Sequence, residues 1–406
     1  MEKKESMSAP TPMAGENQPV DWMFAFKFNA GTFPGCDDDG KVPVIGTQGI
    51  FGGTVDAYKS GHSQQYIYAT SDRPTLVKGD ECLGGTLKDP LGATFGQVYL
   101  NPGYYYVLWN DQFYNNPIET KGGPFGHSKG MLAWNDDGEG LALQVSTPSW
   151  PASGSKDHPR QNDGNTLGCI NDDDIEVSQH FFSIKINKAD LIILLKAINN
   201  ASVVTSTSHL EIVNNGGPQD VQDLVNELGK ESKSTETTVN TLSSGIRVIS
   251  KPSLQACPPW QLVSSHLNSA PLRVASWWAR PYIYSTDADS DIQCWAEGLA
   301  KPGPVEIATT GQWNGTEIGL EGGEGTNFNH AKIGITNNNS QTLCIFGDMN
   351  QQGGLAPDYA YKGQKCSSSQ NGRGGLFYVL DNATLHADLK SLIGGKTAPT
   401  SGPNGL

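Results

Sequence analysis

Short apolar runs cut by Gly, Pro and Asn recur along most of the chain. They predict strands at Val20–Phe28, Gln65–Ala69, Tyr104–Trp109, Leu141–Ser146, Arg273–Ala279 and Leu343–Gly347. A different spacing marks three helices. Asp190–Asn199 is apolar over most of its faces, which predicts a buried helix. Gln219–Leu228 sets Val221, Leu224, Val225 and Leu228 on one stripe, with Gly229 as a stop. Ala383–Ile393 does the same with Leu385, Leu389, Leu392 and Ile393 before Gly394. Strands mixed with helices at these intervals predict an α/β or α+β architecture. A Ser-, Thr- and Asn-rich stretch that includes Ser232–Thr241 supplies a boundary. The expected organisation is an N-terminal half at 18–205, a connecting region at 206–255 and a C-terminal half at 256–394. Small and polar ends, at 1–17 and 395–406, are expected to be mobile.

Composition agrees with a turn-rich chain. The 406 residues include 48 Gly and 24 Pro, which argues against coiled coils and helical bundles. Charged residues are only 17%, too few for a solvated disordered chain. The longest aliphatic run, Leu191–Leu195, is far short of a membrane span, so no membrane partner is expected. The N-terminus has basic residues but no apolar segment behind them, so it does not read as a secretory signal, and a soluble protein is expected. Seven widely spaced cysteines contain no Cys-x-x-Cys pair, which leaves zinc-ribbon and thioredoxin-like readings little support. The net charge of −14 looks unsuited to a nucleic-acid binder at neutral pH. Protonating all 8 His would bring it to about −6, so acid reopens that possibility.

The most informative local feature occurs twice. Phe125-Gly-His127-Ser-Lys129 is echoed by Phe328-Asn-His330-Ala-Lys332, with about half of the chain between them. In an extended segment, His-x-Lys puts imidazole and ammonium on one face, because strand side chains alternate with period two. A Lys so placed can hold a phosphate oxygen while the His attacks phosphorus or protonates a leaving oxygen. Two facing copies would provide a neutral nucleophile and a protonated acid. Each copy is followed by an apolar strand ending in small polar groups, Ser146-Thr-Pro148 in one case and Asp348-Met-Asn350 in the other. The bland reading of a single copy is a surface strand end with no task; the matched pair weakens it.

Other candidates have ordinary explanations. Asp37–Asp39 and Asp172–Asp174 could bind a divalent cation, but acidic triplets among Gly and Asn are more often solvated loops. Lys156-Asp-His158-Pro-Arg160 could touch a nucleic-acid backbone or be a plain surface loop. Trp277-Trp278 could stack on bases, yet paired aromatics in a strand are more often core. His62, His180, His209, His266 and His386 show no partner pattern.

From Pro19-Val-Asp-Trp22 and Lys27 to Arg373-Gly-Gly375, the chain resembles the deoxyribonuclease II family of the phospholipase-D-like superfamily. Trp109-Asn-Asp-Gln112, Gly126-His-Ser-Lys-Gly130, Ser146-Thr-Pro148, Asn165-Thr-Leu-Gly-Cys169, His330-Ala-Lys332 and Cys344-Ile-Phe-Gly-Asp-Met-Asn350 carry the likeness. The resemblance implies an α/β pseudo-dimer, two β-sheet halves flanked by helices and sharing one active site. It implies hydrolysis of DNA, expected to be double-stranded, without metal or other cofactor, in acid and to 3′-phosphate ends. By position, His127, Lys129, His330 and Lys332 would be catalytic, and Ser146, Asp348 and Asn350 would support them or contact phosphate. Either His could be the nucleophile. A Cys36–Cys169 bridge is also implied. The family's accessory His before the matching Ser is replaced here by Val145. A monomeric pseudo-dimer and a homodimer both remain open. So do two other readings with the same residues: a phosphodiesterase on lipid or another substrate, and an inactive DNA-binding relative.

Overall fold

The computed structural model describes residues 7–36, 63–80, 82–113, 118–151, 153–160, 175–357 and 365–400. Its first half contains β1 (Trp22–Lys27), β2 (Tyr66–Thr70), β3 (Val77–Lys78), α1 (Pro90–Tyr99), β4 (Tyr105–Asn110), β5 (Lys129–Trp134), β6 (Gly140–Val145), β7 (Gln179–Ile186), α2 (Lys188–Asn200), β8 (Val213–Asn214) and α3 (Gln219–Val225). There follow β9 (Thr238–Thr241), β10 (Arg247–Lys251), α4 (Pro259–His266), β11 (Leu272–Ala275), β12 (Val305–Ile307), β13 (Thr310–Trp313), β14 (Thr316–Gly319), β15 (Ile333–Thr336), β16 (Leu343–Gly347), β17 (Gly375–Asp381) and α5 (Ala383–Leu392). Mixed α/β architecture is therefore observed, and every strand and helix expected above has a counterpart. The stretch 206–255 gives β8 and α3 to the first half and β9 and β10 to the second sheet.

Among the described residues two large sheets dominate. One has eight strands in the order β3-β2-β1-β7-β6-β5-β4-β8, and the other has seven in the order β12-β11-β15-β16-β17-β10-β9. All pairings are antiparallel except β11 with β12. The same sequence of elements runs through both. β1, α1, β4, β5, β6, β7 and α2 correspond to β10, α4, β11, β15, β16, β17 and α5, and the neighbours within each sheet correspond too.

The two sheets share a core, and the strand period assigns each side chain to it. On β16, Cys344 and Phe346 face the shared core, while Leu343 and Ile345 join a second cluster with Trp260 and Val263 of α4. On β17, Leu376 and Tyr378 alternate in the same way with Phe377 and Val379. Across the shared layer Phe346 stacks on Phe182 of β7, with ring centroids 4.1 Å apart, and lies 4.8 Å from Phe24 of β1. Each such buried ring is worth about 1.5–3 kcal/mol in transfer free energy, so the contact between sheets is a true core.

Local signals explain the helices. Asn187 and Asp190 form a reciprocal capping box at the start of α2, and Asn382 caps α5 by accepting the Leu385 N–H. Two helices, α1 and α4, were not expected. Both have Pro in the first turn, where its missing N–H costs nothing, and Asp89 caps α1 through the Gly92 N–H at 2.7 Å.

Several expectations are corrected. Residues 7–17, expected to be mobile, are tied to α1: Thr11 N donates to Gln97 Oε1 and Met13 N to Thr94 Oγ1. The start of the C-terminal tail is held as well, because the Arg273 guanidinium donates to Gly395 O and Thr397 Oγ1. Cys36 is bonded to Cys82 rather than to Cys169, which lies outside the described residues; a second disulfide joins Cys294 and Cys366. The acidic triplets, His62 and Asn165–Cys169 also lie outside the described residues. Among those described, no helix is long and apolar enough to cross a membrane.

Candidate active site

Both His-x-Lys motifs sit where a loop enters a strand. Lys129 is the first residue of β5, and Lys332 immediately precedes β15. One cavity of about 230 Å³ is lined by His127, Lys129, His330 and Lys332 together with Gln112, Ser146, Pro148, Trp277 and Asn350. The expected residues therefore converge, apart from Asp348, which lies behind His127 rather than on the cavity wall.

The first motif is set by main-chain and side-chain groups from both halves. His127 N donates to Gly374 O at 2.8 Å. Gly126 and Gly374 each pass so close to the Ala201 carbonyl that a Cβ would lie 2.5 and 2.1 Å from its oxygen, which explains the glycines there. The His127 Nδ1 lies 2.8 Å from the Asp348 main-chain oxygen. A carbonyl only accepts, so Nδ1 carries the proton and Nε2 keeps its lone pair. Lys129 Nζ donates to Asp111 Oδ1 at 2.7 Å, and the Arg373 guanidinium donates to Asp111 Oδ2 at 2.9 Å. Burial disfavours the Asp111 carboxylate, but Lys129, His127 and Arg373 outweigh it and hold its pKa well below the usual range. Neither Asp111 nor Arg373 was expected as a site residue. Both fall in blocks quoted for the family likeness, but no periodicity or repeat marks them.

The second motif hangs on the first sheet. Ser178 N donates to Phe328 O at 3.0 Å and His330 N donates to Ser178 O at 2.8 Å, forming a parallel bridge between Ser178 and Asn329. Lys332 N donates to His180 Nδ1 at 3.1 Å, and Lys332 Nζ donates to the His330 carbonyl. The His330 ring meets the Trp277 ring edge-on, with centroids 4.3 Å apart. The Trp pair is thus divided: Trp278 lies in the core and Trp277 borders the cavity.

Electrostatics link the two motifs. Burial and then the Lys129 ammonium push His127 well below the ordinary imidazole pKa. Burial and then Lys332 do the same to His330, with further contributions from Lys129, His127 and Lys27. Burial raises Asp348 to about 7 against the opposing effects of Ser128, Lys129, the Leu376 N–H and Gln144. The Ser146 hydroxyl donates to Gln179 Oε1 and accepts the His180 N–H, so it supports β7. Asn350 Nδ2 donates to Gln352 Oε1, while its Oδ1 has no partner among the described residues.

Three other candidates turn out to be structural or separate. Arg160 is buried, with its guanidinium on the Ser149 and Pro151 carbonyls. Lys156, in the same loop, is exposed. His386 is held by its Nε2 on the Thr336 carbonyl.

A search of curated proteins finds no significant match to this chain. The family model described as Deoxyribonuclease II matches residues 54–394, which is most of the chain.

Proposed function

This chain belongs to the deoxyribonuclease II family and is a hydrolase of DNA phosphodiester bonds; from that premise we propose that it cuts DNA without a metal ion, through a phosphohistidine. The observation that carries this reading is the single cavity lined by both His-x-Lys motifs. The doubled element order supports a phospholipase-D-like pseudo-dimer whose two halves share that cavity.

In this mechanism Lys129 and Lys332 hold the non-bridging oxygens of a phosphodiester, and Asn350 offers a further polar contact. His127 is the nucleophile, because its Nδ1–H is fixed on the Asp348 carbonyl and its Nε2 lone pair is available. A P–N bond forms as the P–O5′ bond breaks, and the leaving oxygen takes a proton from the His330 imidazolium. Water then attacks phosphorus and gives a proton to His330. The P–N bond breaks, His127 recovers its electron pair and the 3′-phosphate leaves.

The pH dependence follows from the lowered histidine pKa values. In the free enzyme at neutral pH both imidazoles are neutral, so the acid is missing. A bound phosphodiester adds negative charge beside the lysines and raises the His330 pKa, and falling pH supplies the proton. Activity rises into the acid range and falls again once His127 is also protonated.

The test is cleavage of DNA in excess EDTA at acid pH, with end analysis and trapping of labelled enzyme by an alkaline detergent quench. Undiminished cleavage, 3′-phosphate ends and an alkali-stable, acid-labile phosphoenzyme are expected. Loss of activity in EDTA, restored by a divalent cation, would overturn the reading.

A further inference from the structure

His180 is completely buried on β7 and lies outside the repeated motif. The bridge between Ser178 and Asn329 begins a parallel ladder whose next rung would join residue 180 to residues 330 and 332. In that rung the His180 N–H would meet the His330 carbonyl, and the Lys332 N–H would meet the His180 carbonyl. The main chain of His180 is used elsewhere. Its N–H goes to Ser146 Oγ at 2.9 Å, and its carbonyl accepts the Ser146 N–H at 3.1 Å.

Each displaced group still has a partner, as buried main-chain groups require. The His180 imidazole takes the Lys332 N–H through Nδ1, and the Lys332 ammonium takes the His330 carbonyl. An accepting Nδ1 places the proton of the neutral ring on Nε2, which has no partner among the described residues. A buried donor in that state costs its full desolvation, a poor choice if stability alone were served.

We propose that His180 is a positioning residue for the reaction: its neutral imidazole replaces a main-chain acceptor and so holds Lys332, and with it His330, in place against the first sheet. The inference rests on the reading of His330 and Lys332 as part of the active site. Protonation would turn Nδ1 from acceptor to donor and break the rung. The charged and titratable neighbours are Lys332 and His330 of the second motif and Lys27 of β1, whose register partner is Gln179. Burial and the Lys332 ammonium push His180 down to about 3, which keeps the rung intact through the acid range.

The experiment measures kcat and KM of the full chain on a labelled oligonucleotide duplex between pH 3 and 7, for wild type, His180→Phe, His180→Asn and His330→Ala. The Asn Oδ1 stands where the imidazole Nδ1 stood, accepts the same N–H and does not titrate. His180→Phe should lose kcat by about 10–100-fold with KM changed by less than about threefold. His180→Asn should recover most of kcat. Wild-type kcat in His180→Phe, or equal impairment in both variants, would overturn the inference. Should His180→Phe not fold, His180→Asn decides: kcat within about threefold of wild type supports the inference, and a loss above about tenfold overturns it. A fully active His330→Ala would instead overturn the active-site reading itself.

Discussion

The two His-x-Lys motifs have nearly the same sequence and very different surroundings. Around His127 and Lys129 the holding groups are two charged side chains, Asp111 and Arg373, and two carbonyls, those of Asp348 and Gly374. Around His330 and Lys332 they are main-chain bonds to Ser178 just ahead of β7, one neutral imidazole and the Trp277 ring. Short repeats therefore need not imply equal roles. A ring whose tautomer is fixed by a carbonyl suits attack through Nε2, whereas a ring set among ammonium groups suits a proton that arrives with an anionic substrate.

The sharpest way to break this comparison is to remove each imidazole. His127→Ala and His330→Ala should each lower kcat on DNA by about 10³-fold or more, measured by initial rates on purified, folded protein. They should also differ: only His330→Ala should still form a trapped phosphoenzyme on a substrate with an activated leaving group. Trapping in His127→Ala and not in His330→Ala would reverse the assignment.

A second test addresses the ionic support of the first motif. Asp111→Asn leaves Lys129 and Arg373 without their buried counter-charge, and a loss of about 3–5 kcal/mol in folding stability is expected by denaturant titration. A variant as stable as wild type would show that the first motif is held by packing, as the second is by its rungs.

The smallest effect sharpens the role of Asp348. Its pKa is raised by burial to about 7, so its contribution to stability is complete below the unfolded value near 4 and is lost as pH rises through about 7. Asp348→Asn removes that titration, and Gln144 Oε1, without a partner among the described residues, can turn to accept the new amide. Melting temperatures of variant and wild type should be close at pH 5 and favour the variant by several degrees at pH 8. A difference that does not change with pH would refute the buried-acid account.

Much of the frame was legible because it follows local rules. The apolar runs at β1, β6 and β16, the α3 and α5 stripes and the paired motifs all express period or repetition. What escaped depends on groups far apart in sequence. Asp111 matters because Arg373, 262 residues later, lies against it, and His180 because Lys332 does. Nothing near either residue announces this. The helices α1 and α4 escaped because Pro and Gly read as breaks unless the cap is seen. The partner of Cys36 was misjudged because likeness supplied it, whereas the observed bridge to Cys82 closes a loop within the first half. The terminal segments look mobile by composition, and only their hydrogen bonds to Gln97, Thr94 and Arg273 show otherwise.

The bond between Asp111 and Arg373 also sets a schedule. At a synthesis rate of about 5–20 residues per second, roughly 13–50 s separate the appearance of the carboxylate from that of its guanidinium partner. Throughout that interval Lys129 has its acid but lacks the clamp across the halves, and His127 lacks both the Asp348 carbonyl and the Gly374 oxygen. A nascent or prematurely terminated chain therefore carries the first motif in full without the means to aim it.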